Sequence, residues 1–544
     1  MHLVTNHLSE DAPPGTSLLV TEATEVVLVP EPSADPNDPL NWSMTRKIAN
    51  VAMMYTVTIV IFSILSMQAV FWPQMSPDLN VTFDELNASL ACNAAGLCAG
   101  CLFFIPLARK YGRRTPYILS MAVMAATAWW SARMQTLTEL YLTNIILGLA
   151  GSMNETLSEM TVADLFFVHQ RGRANAWYIV SVMLGATIIP TIAGQQAQAQ
   201  GWRWSYYTIG IFLTVITFVL LFFFEETKYL HKTRSTMGQS VVAPPSSSAS
   251  ASDSSKNKVS QAGELQYTSS NVLPDDGDQI ERGSSEDNTV IPPMNSYRQR
   301  LRWFTPSSES LWKTAIMPLR TAVLPHVLYT ALQAAYLLTF LVLLSSVSPT
   351  VFSAPPYNFG PGGVGLMLVG PFIGNALGCL YAGLLGDWIG VFLAKRNNGV
   401  FEPEFRLWLL VFPSIVMGGG LILYGASIER GWHWIFPNIG GGMFTFAMGS
   451  IIDMSFTLII DTYTEATAEA FVFITFVRNL GTVGLPFGIT PWMTAMSLTN
   501  MFIISGTICT ALGLLCIPMI IWGKAMRSWS KPLYEKLLID IQTP

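Results

Sequence analysis

Long apolar runs constrain this chain more than any other feature. A helix crosses a bilayer with about 20 mainly apolar residues. Runs of that kind occur at 48–71, 86–107, 115–134, 140–163, 175–197 and 206–224, and again at 319–347, 363–385, 407–427, 434–457, 468–489 and 500–522. The third has little flanking contrast, and the eighth is rich in glycine. Composition agrees: 51% of the 544 residues are hydrophobic and 12% are charged, where a soluble domain carries about 25% charged residues. So little charge on a soluble fold would leave large exposed apolar patches. A cytosolic enzyme, a disordered regulator and a nucleic-acid binder are thereby excluded, the last also by a formal net charge of −5. The expected fold class is an all-α membrane protein of twelve transmembrane helices.

Charge bias orients the spans. With the N-terminus inside, the inner loops hold Arg46, Lys47, Arg109, Lys110, Arg113, Arg114, Arg171, Arg173, Lys395, Arg396, Arg406, Lys524 and Arg527, against Arg133, Arg203 and Arg430 outside. Both termini are then cytoplasmic. The sequon at Asn80 falls in an outer loop and is a candidate glycosylation site. Residues 1–45 are polar and acidic, with no basic start followed by an apolar run and cleavage site, so no signal peptide is expected. Residues 231–295 contain a Ser/Ala/Pro stretch (244–252) and an acidic run from Asp275 to Asp287, a composition unable to bury enough apolar surface to fold. The resulting plan is a disordered cytoplasmic tail (1–45), a first six-helix bundle (46–230), a disordered cytoplasmic linker (231–295), a second bundle with an interfacial lead-in (296–524) and a cytoplasmic tail (525–544).

All six cysteines lie inside spans and read as small packing residues. The histidines show no metal-ligand spacing, and no phosphate-cradling glycine loop is present. No metal or other cofactor is therefore expected. With no nucleophile–base pair visible in the spans, neither is an enzyme.

Two six-span halves suggest an internal repeat with a substrate site between them near the midplane. Several stretches then carry a resemblance. The loop between the second and third spans reads IPLARKYGRR, and its second-half counterpart reads GLLGDWIG, with Gly383, Asp387 and Gly390. Span five contains GATIIPTIAG, with Gly185, Pro190 and Gly194. NDPLNWS (37–43), DLFFVHQRGR (164–173), GWRWSYY (201–207), FFFEETKY (222–229), LAKRNNGVFEPEFRLW (393–408), DTY (461–463), VRNLG and ITPW (489–492) follow in order at the loops. The chain resembles the major facilitator superfamily, and within it the fungal twelve-span drug:proton antiporters, over about residues 36–540 without the linker. The resemblance implies two pseudo-symmetric six-helix bundles and a gate built from the two basic loops. It gives Arg113, Arg114 and Asp387 gating roles, and makes Gly185, Pro190 and Gly194 a helix-bending antiporter motif. The chain departs from the pattern at Ile105, where the family has Gly, at Arg109, where it has Asp, and at Asn144, where many antiporters carry Arg.

Ionisable groups inside a membrane are costly and mark function. Glu155, with Asn154 beside it on span four, is the candidate for proton coupling or substrate binding. The family often places an acid there, lining the central cavity. Arg478 lies near the middle of span eleven, and Asp453 on span ten is its expected ion-pair partner. Gln68, Tyr329, Gln333, Tyr336 and Asn375 are candidate cavity-lining residues, the three on span seven sharing one helix face. Trp72, Trp202 and Trp434 read as interfacial anchors.

The expected function is a secondary transporter that exports small organic molecules, drugs or secondary metabolites, in exchange for protons by alternating access. The alternative is a proton-coupled importer of an organic cation such as a polyamine. The expected partners are a small-molecule substrate, protons and the lipid bilayer, with no nucleic acid, and the expected state is a monomer. The plasma membrane is the expected location, with the vacuolar membrane second.

Overall fold

The computed structural model describes residues 13–18, 35–229, 294–305, 311–397 and 399–542. The disorder expected for the linker and for most of the N-terminal tail concerns residues outside that set, as do the side chains of Glu159, Arg171 and Arg173.

Among the described residues the first element is a two-residue strand, β1 (Ser17–Leu18). The first half follows as α1 (Met44–Ser66), α2 (Trp72–Leu79), α3 (Phe83–Tyr111), α4 (Arg114–Ser131), α5 (Leu137–Leu165), α6 (Val168–Met183), α7 (Ile189–Gln200) and α8 (Trp202–Phe223). The second half has two short helices, α9 (Tyr297–Arg300) and α10 (Leu311–Arg320), then α11 (Pro325–Phe352), α12 (Pro361–Leu366) and α13 (Val369–Arg396). Strand β2 (Val400–Phe401) precedes α14 (Val411–Glu429), α15 (Ile435–Thr462), α16 (Thr467–Ala495), α17 (Leu498–Gly513) and α18 (Cys516–Gln542). Helix suits a bilayer because it satisfies its own backbone groups where no water can.

Ten segments among the described residues are long and apolar enough to cross a membrane. The other two of the twelve crossings are α4 and α5. Helix α5 carries Thr143, Asn144, Ser152, Asn154, Ser158 and Thr161, all buried against protein rather than lipid. Its start is set by a capping box, Thr136 with Glu139, repeated at the start of α3 by Thr82 with Glu85.

Each half is held by a glycine seam. A Cβ on Gly96 would lie 2.3 Å from the Ile145 carbonyl oxygen, and one on Gly148 would lie 2.1 Å from that of Asn93, so α3 and α5 cross with backbones almost touching. In the second half, Gly374 and Gly378 bring α13 equally close to α15, with Cβ positions 2.0 and 2.1 Å from the carbonyl oxygens of Gly442 and Phe446. The same device at spans two and four, and at eight and ten, is the structural form of the repeat.

The halves meet along α3 and α16 and, at the end opposite the basic loops, along α7 and α12. There the Thr191 hydroxyl donates to the Gly365 carbonyl (2.8 Å), and Gln195 Nε2 donates to that of Gly362 (3.1 Å).

Several boundaries differ from the hydropathy reading. Span seven begins only at Pro325, whose fixed φ suits a helix start. The last span runs on as helix through Gln542, so 525–542 is helical. Residues 294–305 pack on the first half: Thr305 N donates to the Tyr111 carbonyl (2.7 Å), and the Arg114 guanidinium lies over the Trp303 ring (5.1 Å). Trp72 and Trp202 are not interfacial anchors. Both are fully buried in the first half, where Trp202 Nε1 donates to Asp78 (3.0 Å).

Candidate functional site

Glu155 stands ten residues, about 15 Å, from the end of α5. Arg478 stands 11 residues in from the start of α16, so both lie at similar depth near the middle of the membrane. They meet. Arg478 Nη2 is 2.6 Å from Glu155 Oε1, and Asn479 Nδ2 donates to Oε2 at 2.8 Å. The carboxylate, with a side chain 8% exposed, is thus engaged on both oxygens by the other half of the molecule. Asn479 also approaches Cys101 Sγ on α3 (3.7 Å). Asn154, next to Glu155, turns the other way into the first half and shares hydrogen bonds with Thr58 and Ser158.

The expected pair of Arg478 with Asp453 does not form. Asp453 is half-buried on α15, and among the described residues its carboxyl has no ion pair or side-chain hydrogen bond. Sequence reasoning placed Arg478's partner in the same half. The helix crossing instead presents α16 to α5, and proximity decides the pair.

The three candidates on span seven turn into the second half and not toward Glu155. Tyr329 and Tyr336 belong to that half's apolar core, and Gln333 Nε2 donates to the Leu512 carbonyl (3.0 Å). Gln68 is buried against Ser89 (2.7 Å). Asn375 lies in the α13–α15 seam, its Oδ1 occupying the space a Cβ on Gly449 would need. Asn80 is exposed at the end of α2.

The basic loops carry a second cluster. Arg113 Nε binds Asp164 (3.1 Å) in the first half, and Arg406 Nη1 binds Asp461 (3.2 Å) at the matching place in the second. Arg406 also reaches Asp387, whose side chain is 77% exposed. Arg114 is buried and donates to the carbonyls of Leu221, Phe224 and Leu301, closing the end of α8. Arg109, standing where the family pattern has Asp, crosses to the second half and binds Glu469 in the first turn of α16 (2.6 Å). Sequence reasoning missed Glu469. The signal was present in the departure itself, since a base in place of an acid calls for a partner of opposite sign.

Gly112 has φ +112°, and a Cβ there would lie 2.3 Å from Glu226 Oε2. That carboxylate accepts from the backbone N–H groups of Arg113 (2.8 Å), Arg114 (3.2 Å) and Lys228 (3.0 Å). Burial pushes the Glu226 carboxyl up from its ordinary value, against the pull of those three donors. Gly112→Ala should therefore displace Glu226 and destabilise the protein by about 1–3 kcal/mol, read as a lower melting temperature of the purified protein. An unchanged melting temperature would contradict this account of the loop.

In span five, Pro190 lacks the N–H that would continue the α6 ladder, and a widened turn at Leu184–Ile188 precedes it. Gly185 lets this turn approach α1, its Cβ position 2.4 Å from the Ile59 carbonyl oxygen. Gly194 admits the Pro361 carbonyl of the second half at 2.7 Å. The motif thus sits where span five touches both halves.

Two six-helix bundles related as parallel repeats, with a polar, charge-paired centre where they meet, are the architecture of a membrane transporter. The profile of the Major Facilitator Superfamily matches residues 54–486. The chain belongs to that superfamily. It is 29% identical over 530 residues to the MFS-type transporter C1271.10c of Schizosaccharomyces pombe, covering 94% of this chain and 90% of that one. It is 24% identical to protein HOL1 of Saccharomyces cerevisiae (95% and 93% covered) and 25% identical to the efflux pump radE of Floropilus chiversii (87% and 81%). Among solved structures, the xylose transporter XylE of E. coli, in a partially occluded inward-open conformation, superposes with a TM-score of 0.55 at 13% identity, covering 88% of this chain and 97% of that one.

Proposed function

We propose that this transporter exports small organic molecules in exchange for protons, by alternating access, with Glu155 as the coupling carboxyl. The observation that carries the reading is the Glu155–Arg478–Asn479 contact between the halves. A proton arriving on a Glu155 oxygen removes the negative charge that holds Arg478. The contact between spans four and eleven then weakens, and the halves are free to rock. Deprotonation restores the pair. Coupling in this scheme resides in an acid–base pair, in keeping with Asn144 where many antiporters have Arg. The span-five motif and the efflux pump among the relatives support the export direction.

The remaining assignments belong to the same proposal. They are the division into two bundles joined by a cytoplasmic linker, the monomeric state, the plasma membrane with the basic loops on its cytoplasmic side, and glycosylation at Asn80.

Glu155→Gln should abolish pH-dependent transport in the protein that is inserted, with flux expressed per inserted molecule because the change leaves Arg478 without its carboxylate. Metabolites inside and outside cells of the native host, with wild-type and variant protein, provide the measurement. Retained pH-dependent flux would remove Glu155 from coupling. A compound left unused in the medium of cells lacking the protein would favour the second reading, import of an organic cation such as a polyamine. The half-buried Asp453 carboxyl on α15 supports that reading, since a carboxyl within a membrane helix that no cation of the described residues contacts directly suits a cationic cargo.

A further inference from the structure

Residues 13–18 are docked on the second half at its basic end. Ser17 and Leu18 pair antiparallel with Phe401 and Val400 in the loop between α13 and α14. Arg527 Nη1 on α18 donates to the Pro14 carbonyl (2.7 Å) and to the Thr16 hydroxyl (3.0 Å). The remaining contacts explain why this seat is specific. Arg527 is fully buried, and its Nε and Nη2 donate to the two oxygens of Glu404 (2.7 and 2.8 Å). Glu404 in turn meets His326 Nε2 at the start of α11 (3.2 Å). A buried guanidinium needs an acceptor for every donor, and the docked segment supplies those of Nη1. Gly15 has φ +82°, and a Cβ there would lie 2.8 Å from the Asp461 carbonyl oxygen and 3.1 Å from Pro403 Cγ. Only glycine lets the segment lie flat on the end of α15.

The seat coincides with the second-half loop cluster. The Asp461 whose carbonyl touches Gly15 is the partner of Arg406, which also holds Asp387. Further along the chain, Asp35 accepts from the Tyr229 hydroxyl (2.9 Å) and Asn37 accepts from Asn295 N (2.7 Å), so residues 35–37 contact the end of the first half. In a transporter whose halves rock, elements at this end must part and rejoin.

We propose that residues 13–18 form an intramolecular strap that restrains the loop between α13 and α14 and the end of α15, holding the basic end in one arrangement and slowing its exchange with the other. The strap acts through Arg527: when it leaves, the two acceptors of Nη1 leave with it, and the loop gains freedom to move. This property is separate from the direction, coupling and substrate proposed above, and its test uses no substrate.

The test compares the full-length protein with Thr16→Val, which removes one acceptor at constant shape, and Gly15→Val, which cannot adopt the docked backbone. Spin labels on Lys110→Cys at the end of α3 and Lys395→Cys at the end of α13, with the native cysteines replaced, report the distance across the basic end. The intact protein should show one dominant distance. Both release variants should raise the share of a second distance by about tenfold relative to the first, the change that corresponds to losing a charge-assisted hydrogen bond. Backbone hydrogen exchange in 399–405 should accelerate in parallel, while exchange in 361–366 at the other end stays as before. Identical distance distributions in the intact protein and Thr16→Val would overturn the proposal, as would faster exchange confined to 13–18. Thr16→Val keeps the question answerable if Gly15→Val fails to fold.

Discussion

Arg478→Leu should be strongly destabilised. Removing the guanidinium leaves the Glu155 carboxylate, 8% exposed, with Asn479 alone inside the membrane. Breaking a buried ion pair from one side costs about 3–5 kcal/mol, a large part of the stability of any protein. The expected readout is a steep fall in membrane-inserted protein and in melting temperature. Glu155→Gln combined with Arg478→Met should recover most of that stability, because a buried pair replaced from both sides leaves no uncompensated charge. Transport should stay absent in the combined variant if the pair serves coupling. Recovery of pH-dependent transport together with stability would show that the pair is purely structural.

The second large effect concerns the contact that replaces an acid by a base in the first-half loop. Arg109→Glu would set two carboxylates together at a site where the Glu469 side chain is 6% exposed, and Glu469→Arg would do the same with two cations. Each single reversal should cost about 3 kcal/mol or more and depress both flux and melting temperature. Joining the two reversals restores the attraction, though not completely. Arg109 lies in the last turn of α3 and Glu469 in the first turn of α16, so each now sits at the helix end that favours its charge. The swapped pair opposes both helix dipoles, with a shortfall of about 0.3–1 kcal/mol per end. Melting curves and flux for the two singles and the double form a mutant cycle. A coupling energy near zero would mean the two side chains act independently.

Part of this architecture was legible in the sequence. Hydropathy marked the twelve crossings, and the spans read with least contrast included the third, which is α4, one of the two least apolar crossings. The repeat was visible in two loops of related sequence, and the structure gives it a physical form in the matching Arg113–Asp164 and Arg406–Asp461 pairs. Glu155 stood out because a carboxyl in a membrane helix needs a reason. Its partner did not. Asp453 lies on the helix just before Arg478's own, whereas Asn479 and Glu155, which do meet, are 324 positions apart. The buried cluster of His326, Glu404 and Arg527 also escaped notice, for its members come from three separate elements, and Arg527 by itself reads only as a basic loop residue.

What the sequence by itself determined is therefore the number of crossings, the end that carries the basic loops and the two-part plan. These follow from hydropathy and charge, which act locally and add along the chain. Only the tertiary structure decided which charge meets which. Ion pairs in a medium without water form between groups brought within a few ångströms, and that approach depends on how closely the glycine seams let helices of each half cross. Those crossings turn Arg478 to Glu155 and not to Asp453, bring Arg109 to Glu469, and seat residues 13–18 on Arg527.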